Sequence, residues 1–433
     1  MLTTSKDANS NYLAKVVRLK GIRKHFNADR LQCVDIDFQT VVTGLDAKDG
    51  AVYVFFPLES KISQEFLAYT NSFRDSNLNN HPEILGFFES NCRVKAMKLR
   101  GEKSMGYIVP IAVICDWAGL SAVDGDSWVG TEFDTINNKK LVEKYIIDRP
   151  APRTKEGKKP KLSRLVEGQV RLHVDTENLR RNAHKINPMD KIAISYKTHG
   201  TSWWVGNLKV KRKLNFLERI LAYLGVRVET TTFDWIYGSR RVVKNADLED
   251  PKAKEHFYGY DLWEDIKNEV KDSVPKGYSV YGEALGYDKN GKYIQSPYDY
   301  GMEKGQMKLE IYRVTTTNDA GFATELSHDE IGEFCTRTGL IQSTTFFTGQ
   351  AKDVIPNVPI DSLEWQNEFV RTLEKLYNEK PCFMSKNHVP EEGIVVRKES
   401  LFEYEAYKLK SFAFLEAETK NLDTGVIDLE SEN

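Results

Sequence analysis

No stretch of about 18 apolar residues occurs anywhere in this 433-residue sequence, which excludes a membrane-spanning helix. Cysteine is scarce too. The five present (Cys33, Cys92, Cys115, Cys335 and Cys382) are scattered, odd in number and never spaced as CxxC. That pattern argues against a disulfide framework and against a zinc site, and fits a reducing compartment. The opening MLTTSKDANSNY has no apolar core of the kind a secretory signal needs, so a cytosolic protein is expected. A charge excess is also missing. The formal net charge is −2, so the chain as a whole carries no basic signature of a nucleic-acid binder. What is there, 40% hydrophobic and 29% charged residues, is the composition of a globular protein of two or three domains.

Charge is nonetheless unevenly spread. Residues 149–165 (RPAPRTKEGKKPKLSRL) hold seven basic residues and one acid, and residues 416–433 hold six acids and one lysine. Both read first as solvated segments. Pro150, Pro152 and Pro160 discourage helix or central strand, so residues 148–165 are expected to link two domains. The expected division is a first domain over 1–147, a second over 166–415 and an acidic tail over 416–433.

Before the linker, β-branched and aromatic residues crowd five stretches: 12–20, 32–42, 51–57, 92–98 and 107–115. In one of them Cys33, Val34, Ile36 and Phe38 are apolar, while Asp35, Asp37 and Gln39 are polar. Five short strands suit a small β-barrel; an OB-like barrel is one option, and its surface is a common nucleic-acid-binding face. Beyond the linker, strands and helices mix. Leu214, Leu217, Ile220, Leu221 and Leu224 recur at helical spacing before Gly225, a C-cap candidate. A second helix is expected from about Ser362 to Tyr377, with Asp361 and Glu364 as a capping box and Phe369, Val370, Leu373 and Tyr377 as its apolar stripe. Both helices read as scaffold.

Four short signals carry the chemistry. Lys197-Thr198-His199-Gly200-Thr201-Ser202 follows a strand-like run, and a lysine at a strand end beside a glycine can act as a nucleophile. Free lysine is protonated at neutral pH, so neighbouring cations or burial must expose its lone pair. Tyr281-Gly282-Glu283 ends a second such run, and Glu391-Glu392-Gly393 enters an apolar strand. Lys408 and Lys410, two apart on a strand, point to one face and suit a polyphosphate.

In this order the signals resemble the covalent nucleotidyltransferase superfamily of RNA ligases, DNA ligases and mRNA capping enzymes. Lys197-Thr198-His199-Gly200 resembles motif I, Glu283 motif III, Glu392-Gly393 motif IV and Lys408-Leu409-Lys410 motif V. Within 308–314, Tyr312 stands where motif IIIa offers a ring to the base, and Arg240 and Arg241 stand where motif Ia meets phosphate or ribose. The histidine of K-x-H-G is similar to a group of RNA ligases, and 23 residues after Lys410 leave little room for the OB domain that DNA ligases and capping enzymes place there. A small β-domain in front instead resembles the fifth family of RNA ligases, whose N-terminal domain the stretch 86–110 also resembles.

The resemblance implies an α+β protein: an N-terminal OB-like barrel, then a mixed α/β nucleotidyltransferase domain on antiparallel sheet. It implies an ATP-dependent RNA ligase that forms lysyl–AMP and A(5′)pp(5′)RNA and seals 3′-OH/5′-phosphate breaks, with a nicked duplex carrying RNA on the 3′-OH side as substrate. Lys197, Glu283, Glu392, Lys408 and Lys410 would be catalytic. Nucleotide binding would add His173, His199, Gly200, Ser202, Arg240, Arg241 and Tyr312, and Glu392 and Glu283 would hold Mg²⁺ or Mn²⁺. A monomer away from membranes is expected. The rival readings are an ATP-dependent DNA ligase, a GTP-dependent capping guanylyltransferase, and a ligase-like scaffold without chemistry.

Overall fold

The computed structural model describes residues 1–120, 125–146, 164–246 and 258–423. Its N-terminal part is a cluster of small open sheets. Ala14–Arg18, Val52–Phe56, Tyr107–Pro110 and Glu132–Phe133 form one, and Arg23–Lys24, Leu31–Ile36 and Gln39–Gly44 form another. Among the described residues no ladder closes these sheets into the expected barrel.

The strands differ from expectation at three places. The single strand expected over 32–42 is a hairpin, because the chain turns at Asp37 and Phe38, both with positive φ (45° and 63°). The one expected over 107–115 stops at Pro110, and Ile111–Trp117 is helix, burying Ile111, Ile114, Cys115 and Trp117 on one side. From the stretch 92–98 only its last residues join a strand, Met97–Leu99.

The second part rests on two antiparallel sheets. The first orders Glu177–Asn178, Glu405–Lys410, Gly393–Lys398, Lys191–Lys197 and Thr345–Gln350, with the outermost Glu177–Asn178 parallel to its neighbour. The second orders Thr231–Gly238, Thr201–Lys211, Tyr278–Gly286, Met307–Thr317 and Ala323–Glu325. Strand alternation gives the first sheet one apolar face, whereas the second is apolar on both, with Trp204, Leu208, Ile236 and Tyr281 in a cluster of their own. In the first sheet Ile192, Ile194, Ile394, Val396, Tyr407 and Leu409 pack with Trp365, Phe369, Val370 and Leu373 of the helix Trp365–Tyr377. In the second, Val280, Ile311 and Val314 pack with Ile266 and Phe334 from two other helices. In the first sheet Ser195, Lys197, Lys408 and Lys410 alternate with those apolar residues and so lie on the other face.

Both helices marked in the sequence form, with corrections. The later one begins at Trp365, one turn after the expected start, and its N-cap makes no side-chain hydrogen bond, so the Asp361–Glu364 capping box is absent. The earlier one, Phe216–Tyr223, has a capping box at Asn215 and Glu218 and buries nothing: Phe216 is 77% and Leu217 69% exposed. It is not a core scaffold element. Residues 416–423 are not a solvated tail but belong to the helix Phe412–Asp423. The expected linker over 148–165 falls mostly outside the described residues. Its last two members, Arg164 and Leu165, already join the second sheet, Leu165 bridging Val210 and Arg164 pairing with Asp234. No helix among the described residues is long and apolar enough to cross a membrane.

Candidate active site

Register brings the sequence signals together. Across the first sheet Lys197 lies opposite Gly393, and Gly393 opposite Lys410, so three strands end level. Glu392, one residue before Gly393, therefore stands between two lysines. Its Oε1 is 2.8 Å from Lys197 Nζ and 3.5 Å from Lys410 Nζ, and its Oε2 is 3.8 Å from His199 Nδ1. The carboxylate is 1% exposed, and neither oxygen meets hydrogen-bond geometry, so charge holds it. Two glycines make the approach possible. At Gly393 φ is +147° and a Cβ would stand 2.1 Å from the Leu409 carbonyl oxygen; at Gly200 it would stand 2.2 Å from that of Ala284.

The second sheet supplies the opposite wall. Ser202 is in register with Glu283, and Ser202 Oγ donates to Glu283 Oε2 at 3.1 Å. Tyr312 Oη and His173 Nδ1 share a hydrogen bond of 2.6 Å. One cavity is lined by Lys197, Ser202, Glu283, Tyr312, His173 and Val395, hence by both sheets. A second opens beyond Lys197 and is lined by Lys408, Lys410, Arg240, Arg241 and Asp175, with Tyr12 and Glu59 from the N-terminal part. Lys197 and Arg240 line both. The pair of cavities thus has an aromatic half bearing Glu283 and a cationic half in which seven lysines and arginines outnumber Glu59, Asp175 and Glu418, with Lys197 at their junction.

Arginine and aspartate order the cationic half. Asp175 accepts from Arg240 (2.9 Å) and Arg241 (3.1 Å). Burial works against its charge, but Arg240, Arg241 and Lys408 hold its carboxyl below the usual range. Arg240 is the more buried of the two arginines and alone reaches both cavities. His199 donates its backbone N–H to Tyr300 Oη at 2.5 Å, and its ring sits edge-on to Tyr298 and Phe414. Glu391 is buried beside Cys382, and burial pushes it up to about 8.

The structure thus gathers every residue marked in the sequence into this one region. Asp175 is visible in the sequence beside His173, in a polar run resembling the start of some RNA ligase cores, but without a role; missed was Glu418, which lies 3.1 Å from Lys410 in a stretch that reads as tail. Among the described residues no group of three or more His, Cys, Asp or Glu side chains could by itself hold a metal ion. Glu392 offers two buried carboxylate oxygens without hydrogen bonds, a donor that fits Mg²⁺ or Mn²⁺ if substrate phosphates and water complete the shell.

No family model and no curated protein sequence matches the chain. Solved structures do. A mutant of Naegleria gruberi RNA ligase with AMP and Mn matches with a TM-score of 0.56 and 15% identity, over 94% of this chain and 98% of that one. The chain has the fold of an RNA ligase. Another mutant of the same ligase, with ATP and Mn, gives a TM-score of 0.53 at 14% identity over 95% and 100% of the two chains. The ligase with PPi gives 0.54 at 15% identity over 94% and 99%.

Proposed function

We propose that the protein is an ATP-dependent RNA ligase that seals 3′-OH/5′-phosphate breaks, with Lys197 as nucleophile. The observation that carries this reading is Lys197 at the junction of an aromatic and a cationic cavity, paired to Glu392 with Lys410 alongside. That arrangement sits in a fold shared with a ligase whose structures hold AMP or ATP with Mn.

The adenosine would occupy the aromatic half, its base against Tyr312 and its ribose near Glu283, and the phosphates the cationic half. Lys197 Nζ, having lost a proton, attacks the α-phosphorus. The bond to pyrophosphate breaks, and a phosphoramidate joins AMP to the enzyme. A 5′-phosphate oxygen then displaces Lys197 to give A(5′)pp(5′)RNA, and a 3′-OH displaces AMP to close the phosphodiester. Each step is phosphoryl transfer, in which fixed positive charge at the non-bridging oxygens lowers the barrier. Lys408, Lys410 and Arg240 supply that charge. A divalent cation bound to Glu392 would draw the carboxylate from Lys197 and add positive charge beside the amine.

The N-terminal sheets, in the role of an OB-like module, would hold the nucleic acid, and a nick with RNA on the 3′-OH side is the substrate we favour. Incubating the protein with α-labelled ATP or GTP tests the reading. Label from ATP that survives denaturation and disappears in Lys197→Ala is expected. Label from GTP alone would indicate capping, an adduct on another lysine would refute the assignment, and no label at all would leave the scaffold reading.

A further inference from the structure

Lys410 is gripped from two sides. Its Nζ lies 3.5 Å from Glu392 Oε1 and 3.1 Å from Glu418 Oε1, and 4.9 Å from the centre of the Phe414 ring. Phe414 and Glu418 are four residues apart on the helix Phe412–Asp423 and so share one face. The Glu418 side chain is 10% exposed, which shields its pair with Lys410 from water.

The rest of that helix is fastened elsewhere. Asp423 meets Arg93 (2.7 Å) and Lys95 (2.8 Å), Arg93 donates to the Thr419 carbonyl at 2.9 Å, and Phe412 and Leu415 pack with Ala96 and Met105. All four of those partners come from the N-terminal part. Glu418 is thereby delivered to Lys410 on a support anchored largely in the N-terminal part.

Charges alternate along the row Lys197, Glu392, Lys410, Glu418. Without Glu418 the Lys410 ammonium still feels Glu59 but leans on Glu392, 3.5 Å away, the same group that pairs with the nucleophile. A lysine that leans fully on Glu392 competes with a cation there and leaves the phosphate side of the cavity. We propose that Glu418 is a positioning residue that holds Lys410 off Glu392 and toward the α-phosphate. The proposal rests on the ligase reading above.

Single-turnover formation of enzyme–AMP by the full-length protein, over ranges of ATP and Mg²⁺, tests it. Glu418→Gln keeps shape and removes charge. It should slow the maximal rate about 10–100-fold, the usual effect of losing a group that orients a ligand. The Mg²⁺ needed for half the maximal rate should rise, and ATP half-saturation should change less than the rate. Glu418→Asp should restore part of the rate. Asp423→Asn loosens the helix that carries Glu418 but leaves the Glu418 charge in place, so it should slow the rate and shift the Mg²⁺ dependence far less than Glu418→Gln does. Wild-type kinetics in Glu418→Gln would overturn the proposal. So would equal rate losses in Glu418→Gln and Asp423→Asn tracking their melting temperatures, since that marks a structural role alone. Absence of label on the wild type would overturn the ligase reading, and the proposal with it.

Discussion

Arg93→Ala should release the C-terminal helix from the N-terminal part. The Arg93 side chain has no exposed surface, and it meets Glu59 at 3.3 Å, Asp423 at 2.7 Å and the Thr419 carbonyl at 2.9 Å, with the Tyr145 ring 5.1 Å away. Removing one partner of a buried ion pair costs about 3–5 kcal/mol. Asp423 is 37% exposed and regains water, which favours the low end, about 3 kcal/mol. Glu59 makes the loss depend on pH. Burial, then the charge of Glu418, pushes its carboxyl up to about 7 against the pull of Arg93 and Lys410. Without Arg93 it rises further, so the folded protein must keep a proton that the unfolded chain sheds. The loss is therefore larger at pH 8 than at pH 5.5. Hydrogen exchange of the amides in 412–423 reads the opening directly. At pH 8 a loss of about 3 kcal/mol appears as exchange about 10²-fold faster. Acceleration below about tenfold would show that Arg93 does not clamp the helix, and equal acceleration at both pH values would show that Glu59 does not make the loss depend on pH.

Glu392→Gln should cut adenylylation by orders of magnitude, and a wild-type rate at saturating Mg²⁺ would remove Glu392 from the metal's shell. Glu59→Gln isolates the pH term. Because the folded carboxyl titrates at about 7 rather than at its ordinary 4.5, wild-type stability is full below about pH 4.5 and falls as pH rises through 7, by about 3 kcal/mol at most. Thermal melts across that range should be flatter for Glu59→Gln, and parallel curves would refute the assignment. Gly393→Ala places a Cβ 2.1 Å from the Leu409 carbonyl in a backbone conformation that side chains avoid, so adenylylation should fall together with melting temperature; unchanged values for both would refute the close-approach argument.

The site was more legible than the fold around it. Period-two alternation placed Lys408 and Lys410 on one face, and the order of the glutamate and lysine signals anticipated which side chains converge. Sequence could not choose between Arg240 and Arg241, because the choice depends on Asp175, more than 60 residues earlier in the chain. The hairpin at Asp37 and Phe38 was hidden because no glycine or proline marks the turn, and a phenylalanine with positive φ breaks the usual preference. The acidic stretch from Glu416 read as solvated because, Lys410 aside, the cations that tie it to the N-terminal part, Arg93, Lys95 and Lys98, lie over 300 residues away. The helix Phe216–Tyr223 shows the reverse failure: its apolar spacing is real, yet nothing among the described residues covers it.

The helices of the second part cover the two sheets with separate apolar clusters, one around Ile194, Val396 and Phe369, the other around Val280, Ile311 and Ile266. Substitutions in separate clusters share no neighbours, and the free-energy effects of such substitutions add. Each cluster can therefore drift in composition by volume-conserving exchanges without forcing a compensating change in the other. Two small repacking problems are easier to solve by chance than one large one. That modularity gives a physical route by which a chain sharing 15% of its residues with an RNA ligase retains the same fold over 94% of its length.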